Sequence, residues 1–222
     1  MADTMPVMLD DQVIEQLARE LTGRAAALVD RRLLVGIAGV PGAGKSTLAQ
    51  RLLTAVHEAG AAAALVPMDG FHLTSAELRA RGLVERKGAM ETFDAERYIA
   101  TLKRFRAAGV AGPVPIYDRT RHEPVVPGDP AQHVQVETRL ILTEGNYLLL
   151  NEPPWSVLAE VLDETWWLDT PVDRAQRWLM QRHRAGGRSE DEVRQRCGND
   201  RRNAERVVQR SRAPDRVVCW RA

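Results

Sequence analysis

The 222-residue sequence predicts an α/β fold, a three-layer sandwich in which a mainly parallel sheet lies between two layers of helices. Short apolar runs such as LLVGIAG (33–39) and RLILTEG (139–145) have the length and composition of buried strands. These runs alternate with segments of helical periodicity, which is the pattern of parallel strands joined by helices. The length is typical of a single domain, expected here over 1–222.

The elements are expected in the following order. Apolar spacing predicts an N-terminal helix at about 9–29 and later helices at 46–58, 95–108, 171–184 and 190–209. Extended segments are predicted at 33–39, 61–68, 112–118, 139–145, 165–168 and 216–220, the last of them as an edge strand. The Pro-rich stretch 119–130 is long for a connector, and loops of that length are often functional.

Composition excludes several classes of protein. The formal net charge of +1 gives no electrostatic case for nucleic acid or membrane binding. No apolar run reaches the roughly 18 residues of a membrane helix, and the acidic N-terminus is unlike a signal peptide. Two cysteines without a CxxC pattern argue against structural zinc and fit a reducing, cytoplasmic location.

The stretch GVPGAGKST carries the strongest motif of the chain. It fits G-x-x-x-x-G-K-[ST], follows a predicted strand and opens a predicted helix, a context that an incidental Gly-rich turn would lack. Glycines let the backbone wrap an anion, and the N–H groups at the helix start point toward phosphates. Lys45 is expected at the β- and γ-phosphates and Ser46 on Mg²⁺. The predicted nucleotide-binding residues are Gly39, Val40, Pro41, Gly42, Ala43, Gly44, Lys45, Ser46 and Thr47.

Two carboxylates follow predicted strands. Asp69 comes after ALVPM and Glu144 after RLILT, and open parallel sheets bind ligands at the carboxyl ends of their strands. Glu144 is expected to hold Mg²⁺, directly or through water, and Asp69 to act as general base with a further contact to Mg²⁺. The alternative is that either acid only caps a turn. His72 either binds substrate or simply packs or forms a hydrogen bond within its loop.

Five motifs in order carry a family resemblance: GVPGAGKST, MDGFH, RKGAMETFD, PIYDR and EGNYLLL. From Leu33 to Val218 the chain resembles the phosphoribulokinase/uridine kinase family of P-loop kinases, which includes the bacterial pantothenate kinases. It is most similar to a bacterial branch named nucleoside kinase-like or fructose-transport kinase. The resemblance implies ATP and Mg²⁺ as cofactors, Asp69 as catalytic base and Glu144 as metal ligand. Relatives are often dimers, so a homodimer is one expected assembly.

The same resemblance implies the acceptor-binding residues. RKGAMETFD is similar to a pantothenate kinase element near the acceptor and maps onto Arg86, Lys87 and Gly88. PIYDR is similar to an element that lines the substrate pocket, which adds Tyr117, Asp118 and Arg119. Two alternatives stay open: Tyr117 in the core and Arg86 as a solvated charge. Met90 stands where the branch usually has Pro, a change expected to alter the pocket wall or the rigidity of the loop.

An Arg-rich segment at about 174–196 is expected to form a small helical lid. In this family, arginines of a lid close over the phosphates, where a guanidinium stabilises the transferring phosphoryl group and closure excludes water. Arg177 and Arg182 are the preferred catalytic candidates, the alternative being that they face solvent. The other arginines around the Gly186-Gly187 break are Arg174, Arg184 and Arg188.

Two further features have no functional role derived from spacing. Asp200 and Asn203 belong to GNDRRNAERV, another stretch that resembles the branch, and are expected to cap a helix or to approach the nucleotide base. The five tryptophans are expected in the core.

Together these features predict an ATP-dependent phosphotransferase that acts on a hydroxyl of a small molecule, such as a nucleoside, a sugar or a pantothenate-like compound. The alternative is an ATP-binding regulatory or transport-associated module without its own acceptor. A GTPase switch is disfavoured because the sequence has no N-K-x-D, and no predicted strand end supplies D-x-x-G.

Overall fold

A computed structural model describes residues 5–129, 132–187 and 189–221. Its strands are β1 (Val7–Leu9), β2 (Leu33–Ala38), β3 (Ala63–Pro67), β4 (Ile116–Asp118), β5 (Glu123–Val125), β6 (Leu140–Gly145), β7 (Glu164–Leu168) and β8 (Arg216–Trp220). Six of them form one sheet in the order β1-β8-β7-β2-β6-β3, and every pairing in it is parallel. The predicted parallel sheet is therefore confirmed.

The helices occupy both faces of this sheet. They are α1 (Asp11–Ala26), α2 (Lys45–Glu58), α3 (Ser75–Ala80), α4 (Ala95–Arg106), α5 (Leu158–Val161), α6 (Val172–Ala185) and α7 (Glu190–Arg210). Side-chain caps fix several starts: Asp10 accepts from the Val13 N–H and Asp94 from the Arg97 N–H. No helix in the described ranges is long and apolar enough to cross a membrane.

Strand β2 shows why the sheet is buried on both sides. Leu33, Val35 and Ile37 pack into a core with α1 and α2, whereas Leu34 and Ala38 pack into a second core with α4 and α5. Alternate residues of a strand point to opposite faces, so a continuous apolar run is what a strand between two helical layers requires. The three-layer arrangement follows from this pattern.

Two expectations about the strands were wrong. β8 is not an edge strand, because Val7–Leu9 pairs along its outer side as β1. Three residues are too few for an alternation pattern to reveal, so β1 could not be read from sequence. The stretch predicted as a loop at 119–130 contains β5, which pairs with β4 as an antiparallel hairpin; Pro130 lies outside the described residues.

The register of the central strands positions the site. β2 lies between β6 and β7, and β3 pairs with the far side of β6. Ile37 and Pro67 both stand opposite Glu144 in this register. The carboxyl ends of β2, β3 and β6 therefore meet at one edge of the sheet, and the segments that follow them begin there.

Candidate functional site

The Gly-rich loop between β2 and α2 has the backbone conformation of an anion cradle. Gly42 and Gly44 have φ of 80° and 95°, a region that favours glycine, and Gly44 precedes the first turn of α2. A Cβ at Gly42 would lie 2.6 Å from the carbonyl oxygen of Ala175, so the loop also needs glycine to fit against α6. N–H groups at this helix start are free of helical partners and suit a phosphate.

Lys45 is buried at the first turn of α2. Its Nζ donates to the Val40 carbonyl at 2.9 Å and to Asn146 Oδ1 at 2.7 Å. Burial lowers the pKa of Lys45 to about 8, although the carboxylates of Glu144 and Asp69 act in the opposite direction. Sequence reasoning missed Asn146; its signal was its position in EGN, two residues after Glu144.

Ser46 and the strand-end acids form an oxygen-rich cluster. Ser46 Oγ donates to Glu144 Oε1 at 2.9 Å. Burial, and then the negative charge of Asp69, raise the pKa of the buried Glu144 carboxyl. A divalent cation here would relieve the repulsion between the two carboxylates.

The oxygen donors of this cluster suit a hard divalent cation such as Mg²⁺. In the described parts of the chain, no group of three or more His, Cys, Asp and Glu side chains is arranged to hold a metal ion. Mg²⁺ usually takes only one or two carboxylates and completes its shell with waters and phosphate oxygens. Ser46, Glu144 and Asp69 supply that smaller set of hard oxygen donors.

Asp69 lies in a 3-10 turn, Met68–Phe71, directly after β3. Its side chain is 33% exposed, and its Oδ2 lies 3.5 Å from Arg119 Nη2. A Cβ at Gly70 would lie 2.0 Å from the Pro115 carbonyl oxygen, so the turn and the segment entering the β4–β5 hairpin approach each other through this glycine. The hairpin therefore brings Arg119 to the carboxylate.

His72 packs and hydrogen-bonds within its loop and also lines the cleft, and its contact with substrate stays a prediction. Its ring lies between Phe93 and Tyr117, with centroid distances of 4.0 and 4.8 Å. Nδ1 donates to the Asp69 carbonyl at 2.8 Å, which leaves Nε2 as the acceptor of a neutral ring. Burial lowers the pKa of His72, so the neutral form is favoured near pH 7.

The RKG turn forms another part of the cleft wall. Lys87 Nζ donates to the His122 carbonyl at 2.7 Å and lies 5.3 Å from the centre of the Tyr117 ring. The Tyr147 hydroxyl donates to the Gly88 carbonyl at 2.6 Å. These contacts join the turn to the hairpin and to the segment after β6.

The α6–α7 pair occupies the predicted lid position. Arg174 and Arg182 line the cleft, together with Gly186 and Gly187 between the helices. His183 Nε2 and Asp200 Oδ2 are 3.1 Å apart and join the two helices. Asp200 also lines the cleft, where its charge acts on Lys45.

Some predicted residues do not reach the cleft as described. Asp118 accepts from the Thr120 and Arg121 N–H groups at 2.8 and 2.9 Å, because it caps the hairpin turn. Arg177 is exposed and is not among the described residues that line the cleft, whereas Arg182 is one of them. Arg188 lies outside the described residues.

Other predicted residues line a second cavity. Arg86 pairs with Glu91 at 2.5 Å and, with Met90, lines a separate cavity of about 540 Å³. Asn203 is buried and lines that cavity, within 3.8 Å of where a Cβ on Gly88 would stand. Met90 lines this second cavity and is not among the described residues that line the cleft.

The tryptophans divide between core and cleft. Trp155 and Trp166 are buried, as expected, but Trp178 is 41% exposed and lines the cleft with Trp220. The expectation that all five lie in the core was wrong for these two, because the cleft interrupts the apolar faces of α6 and β8. The Trp220 indole packs beside Gly44, with Arg51 at 5.1 Å from its ring centre.

The phosphate loop, the acidic cluster, the hairpin and the lid line one cleft of about 1490 Å³. That volume exceeds a typical site for one small molecule and has room for two ligands. A Gly-rich phosphate loop between a central parallel strand and a helix, with acids at the neighbouring strand ends, defines the class of P-loop nucleotide-binding proteins.

Comparison with known proteins identifies the family. The chain is 34% identical over 219 residues to a Schizosaccharomyces pombe protein named "Putative uridine kinase C227.14", covering 90% of this chain and 88% of that protein. The crystal structure of a "putative fructose transport system kinase" from Silicibacter sp. TM1040 superposes with a TM-score of 0.82 at 34% identity, covering 92% of this chain and 98% of that one. The chain belongs to the P-loop kinase family that includes the uridine and pantothenate kinases.

Two partial similarities complete the comparison. A pantothenate kinase of Rhodococcus opacus is 28% identical over 151 residues, covering 67% of this chain and 47% of that protein. Residues 7–93 match the family described as methylmalonyl Co-A mutase-associated GTPase MeaB. That match contains the phosphate loop and Asp69 but ends before Glu144 and the lid.

Proposed function

We propose that this protein transfers the γ-phosphoryl group of ATP to a hydroxyl of a small molecule, with Asp69 as general base. The observation that supports this most directly is the placement of Asp69. Its carboxylate lines the same cleft as the phosphate loop and is partly exposed, beside the wall formed by His72, Tyr117 and Arg119. A carboxylate between a phosphate site and a second pocket can accept the proton of an attacking hydroxyl.

The reaction balances as a direct displacement. The acceptor oxygen forms a bond to the γ-phosphorus while the bond from that phosphorus to the β–γ bridging oxygen breaks, and ADP leaves. The hydroxyl proton passes to Asp69. Lys45, hydrogen-bonded to Asn146, supplies positive charge at the phosphates, and Mg²⁺ held by Ser46, Glu144 and Asp69 would neutralise charge on their oxygens.

The lid has a protective role in this proposal. Arg182 and Arg174 lie on the cleft side of α6, where phosphates would attract them. Closure of α6 and α7 over bound ATP would exclude water, which otherwise competes with the acceptor hydroxyl. The names of the relatives leave nucleoside, sugar and pantothenate-like acceptors as candidates.

The test measures acceptor-dependent ADP release from Mg-ATP with a panel of nucleosides, sugars, pantothenate and glycerate. Asp69→Asn is expected to bind Mg-ATP nearly normally and to lose transfer by at least about 100-fold, since the proton acceptor is removed. Glu96→Gln, on the exposed face of α4, is the matched control and should keep full turnover.

Two outcomes would contradict the proposal. Full turnover by Asp69→Asn would remove the base assignment. ATP binding without any acceptor-dependent ADP release, across the panel and a metabolite extract, would favour the module without its own acceptor.

A further inference from the structure

We propose that Asn146 binds the γ-phosphoryl group of the nucleotide, with its side-chain Nδ2 as a second hydrogen-bond donor beside Lys45. This inference rests on the nucleotide-binding part of the proposed function and adds a residue to it. The amide joins the Lys45 ammonium to the phosphoryl group and exchanges no proton with either of them.

The contact between Lys45 and Asn146 fixes which way the amide points. Lys45 Nζ donates to Asn146 Oδ1 at 2.7 Å. An ammonium has no acceptor, so the oxygen of the amide faces it and Nδ2 points elsewhere. Within the described parts of the chain, Nδ2 donates no hydrogen bond. A ligand can therefore take up this donor.

The position of Asn146 favours the γ-phosphate as that ligand group. Asn146 is partly exposed and lines the same cleft as Lys45 and the phosphate loop. The N–H groups of such a loop surround the α- and β-phosphates, and its lysine reaches the β- and γ-phosphates. Asn146 lies outside the loop, directly after β6, and its Nδ2 and Oδ1 share one carbon atom. A γ-phosphate oxygen beside Lys45 Nζ is therefore within reach of Nδ2 as well.

Neighbouring residues hold Asn146 in this position. A Cβ at Gly145 would lie 2.6 Å from the Cβ of Met68, so the end of β6 packs directly against the residue before Asp69. On the other side, Tyr147 is buried, and its hydroxyl donates to a backbone carbonyl of the RKG turn at 2.6 Å. A donor fixed between two packed residues needs little reorganisation to stabilise charge on a phosphoryl group.

The end of β6 offers an acid to the proposed metal site and an amide to the phosphate site. Glu144 Oε1 accepts from Ser46 Oγ at 2.9 Å, and Asn146, two residues later, accepts from Lys45. The charges of Glu144 and Asp69 already act on Lys45. A third carboxylate at position 146 would compete with phosphate for the ammonium and repel it, whereas a neutral amide orients the ammonium and donates to phosphate.

The first experiment measures nucleotide binding and needs no acceptor. Isothermal titration calorimetry compares wild type with Asn146→Asp and Asn146→Ala, using the magnesium complexes of ADP and of the β,γ-imido analogue of ATP. Asn146→Asp should bind the ATP analogue at least about tenfold more weakly and ADP within about threefold of wild type, because only the γ-phosphate loses a donor. Asn146→Ala should show a smaller loss with the same selectivity.

Asn151→Asp is the matched control for this comparison. Asn151 is exposed and is not among the described residues that line the cleft, so the same chemical change there should leave both affinities unchanged. A selective loss in the Asn146 variants would support the inference even if the protein transferred the phosphoryl group to no acceptor, in which case only the transfer reaction would be overturned.

The other results would overturn the inference. Equal losses for ADP and the ATP analogue would mean that the amide acts only through Lys45, which reaches both phosphates. Unchanged affinity of both Asn146 variants for the analogue, with the fold confirmed by circular dichroism, would mean that Nδ2 does not contact the γ-phosphate. Neither result affects the proposed transfer reaction. If wild type bound neither nucleotide, the proposed function would fail and the inference with it.

Kinetics with an identified acceptor provide an independent measurement. Both Asn146 variants are expected to lower kcat at least about tenfold and to leave KM for the acceptor within about threefold of wild type, because the donor acts on the transferred group. A raised KM for the acceptor with unchanged kcat would place Asn146 at the acceptor and overturn the assignment.

Discussion

At the residue scale, the burial of Lys45 shows how a residue that suits ligand binding lowers the stability of the folded protein. The ammonium is buried before any phosphate arrives, and its Nζ contacts are a carbonyl and an amide oxygen. Removal from water disfavours the charged form, which is why the pKa of Lys45 is lowered from 10.5 to about 8. The nucleotide-free protein therefore keeps a buried ammonium, that of Lys45, whose favourable partner is the phosphate of a bound nucleotide.

This burial predicts a pH-dependent difference in stability between wild type and Lys45→Met. Below pH 8 Lys45 is protonated in the native and unfolded states, and the full cost of burying its charge is present. Between pH 8 and 10.5 the native protein releases the proton while the unfolded chain keeps it, so wild type gains stability relative to the variant. Urea denaturation without nucleotide should show a relative gain of up to about 3 kcal/mol over that range.

Lys103→Met provides the baseline for this comparison, since Lys103 is exposed on α4. Its stability should follow wild type at every pH. A Lys45→Met curve that stays parallel to wild type from pH 7 to 10.5 would show that Lys45 ionises normally in the folded protein.

Individual site residues were predictable where a motif fixed them to a strand end. Lys45, Ser46 and Glu144 meet because the phosphate loop follows β2 and the acid ends β6, two strands adjacent in the sheet. Trp220 was not predictable, because the order of strands at the sheet edge decides what it faces. The direction of Asp118 depends on a local hairpin turn that the sequence pattern did not reveal.

At the scale of elements, the 3-10 turn of Asp69 and the β4–β5 hairpin depend on each other. They approach through Gly70, where a side chain would meet the Pro115 carbonyl. The hairpin also contains Tyr117 and Arg119, and the His122 carbonyl in its turn accepts a hydrogen bond from Lys87. Asp69 and the part of the cleft wall formed by the hairpin are therefore positioned against each other at this close backbone contact.

Gly70→Ala is expected to disturb both parts at once. Since the new methyl group would stand 2.0 Å from a backbone oxygen, the turn and hairpin must separate. We expect a stability loss of about 1–3 kcal/mol and a fall in kcat/KM for the acceptor larger than any change in Mg-ATP affinity. Thermal unfolding and steady-state kinetics measure these effects.

Gly23→Ala is the matched substitution. Gly23 lies in α1 with nothing within 4 Å of its Cβ position, so alanine should stabilise the helix by up to about 1 kcal/mol. If Gly70→Ala behaved like Gly23→Ala, the close approach would have no role in positioning Asp69.

Helices and strands were predicted well where the apolar pattern extends over many residues, and poorly where it covers only a few. Helices α1, α2, α4, α6 and α7 begin and end within a few residues of their expected bounds. The strands β1 and β5 have three residues each, and their pairing depends on partners distant in sequence. Such strands exist because of tertiary contacts, which local patterns do not encode.

At the scale of the whole molecule, the proposed function assigns the α6–α7 pair the role of a lid that closes over the nucleotide. It rests on the phosphate loop where Gly42 approaches Ala175, and Gly186 and Gly187 separate its helices. Arg182 and Arg184 are exposed close to that break. Bound phosphates would attract Arg174 and Arg182 and bring the pair onto the nucleotide.

Mg-ATP should therefore protect this region from trypsin. Cleavage after Arg182 and Arg184 is expected to slow by roughly tenfold at saturating nucleotide, since opening is required for cleavage. Arg182→Gln should weaken the protection at Arg184, whereas Arg194→Gln, at an exposed pair with Asp191, should keep it. Mass spectrometry of the fragments measures both. Equal cleavage with and without Mg-ATP would mean that the lid does not close on the nucleotide.

The connection between β3 and β6 has a consequence for how such enzymes diversify. These neighbouring strands are joined by residues 68–139, and that one segment contains the hairpin and the RKG turn, the parts of the cleft lining to which the proposed function assigns the acceptor. The phosphate loop and the lid lie outside it. Recombination between homologous genes at the two ends of this segment could thus exchange the acceptor preference and leave the ATP-binding residues unchanged. A new acceptor would then require no change in the phosphate loop or the lid.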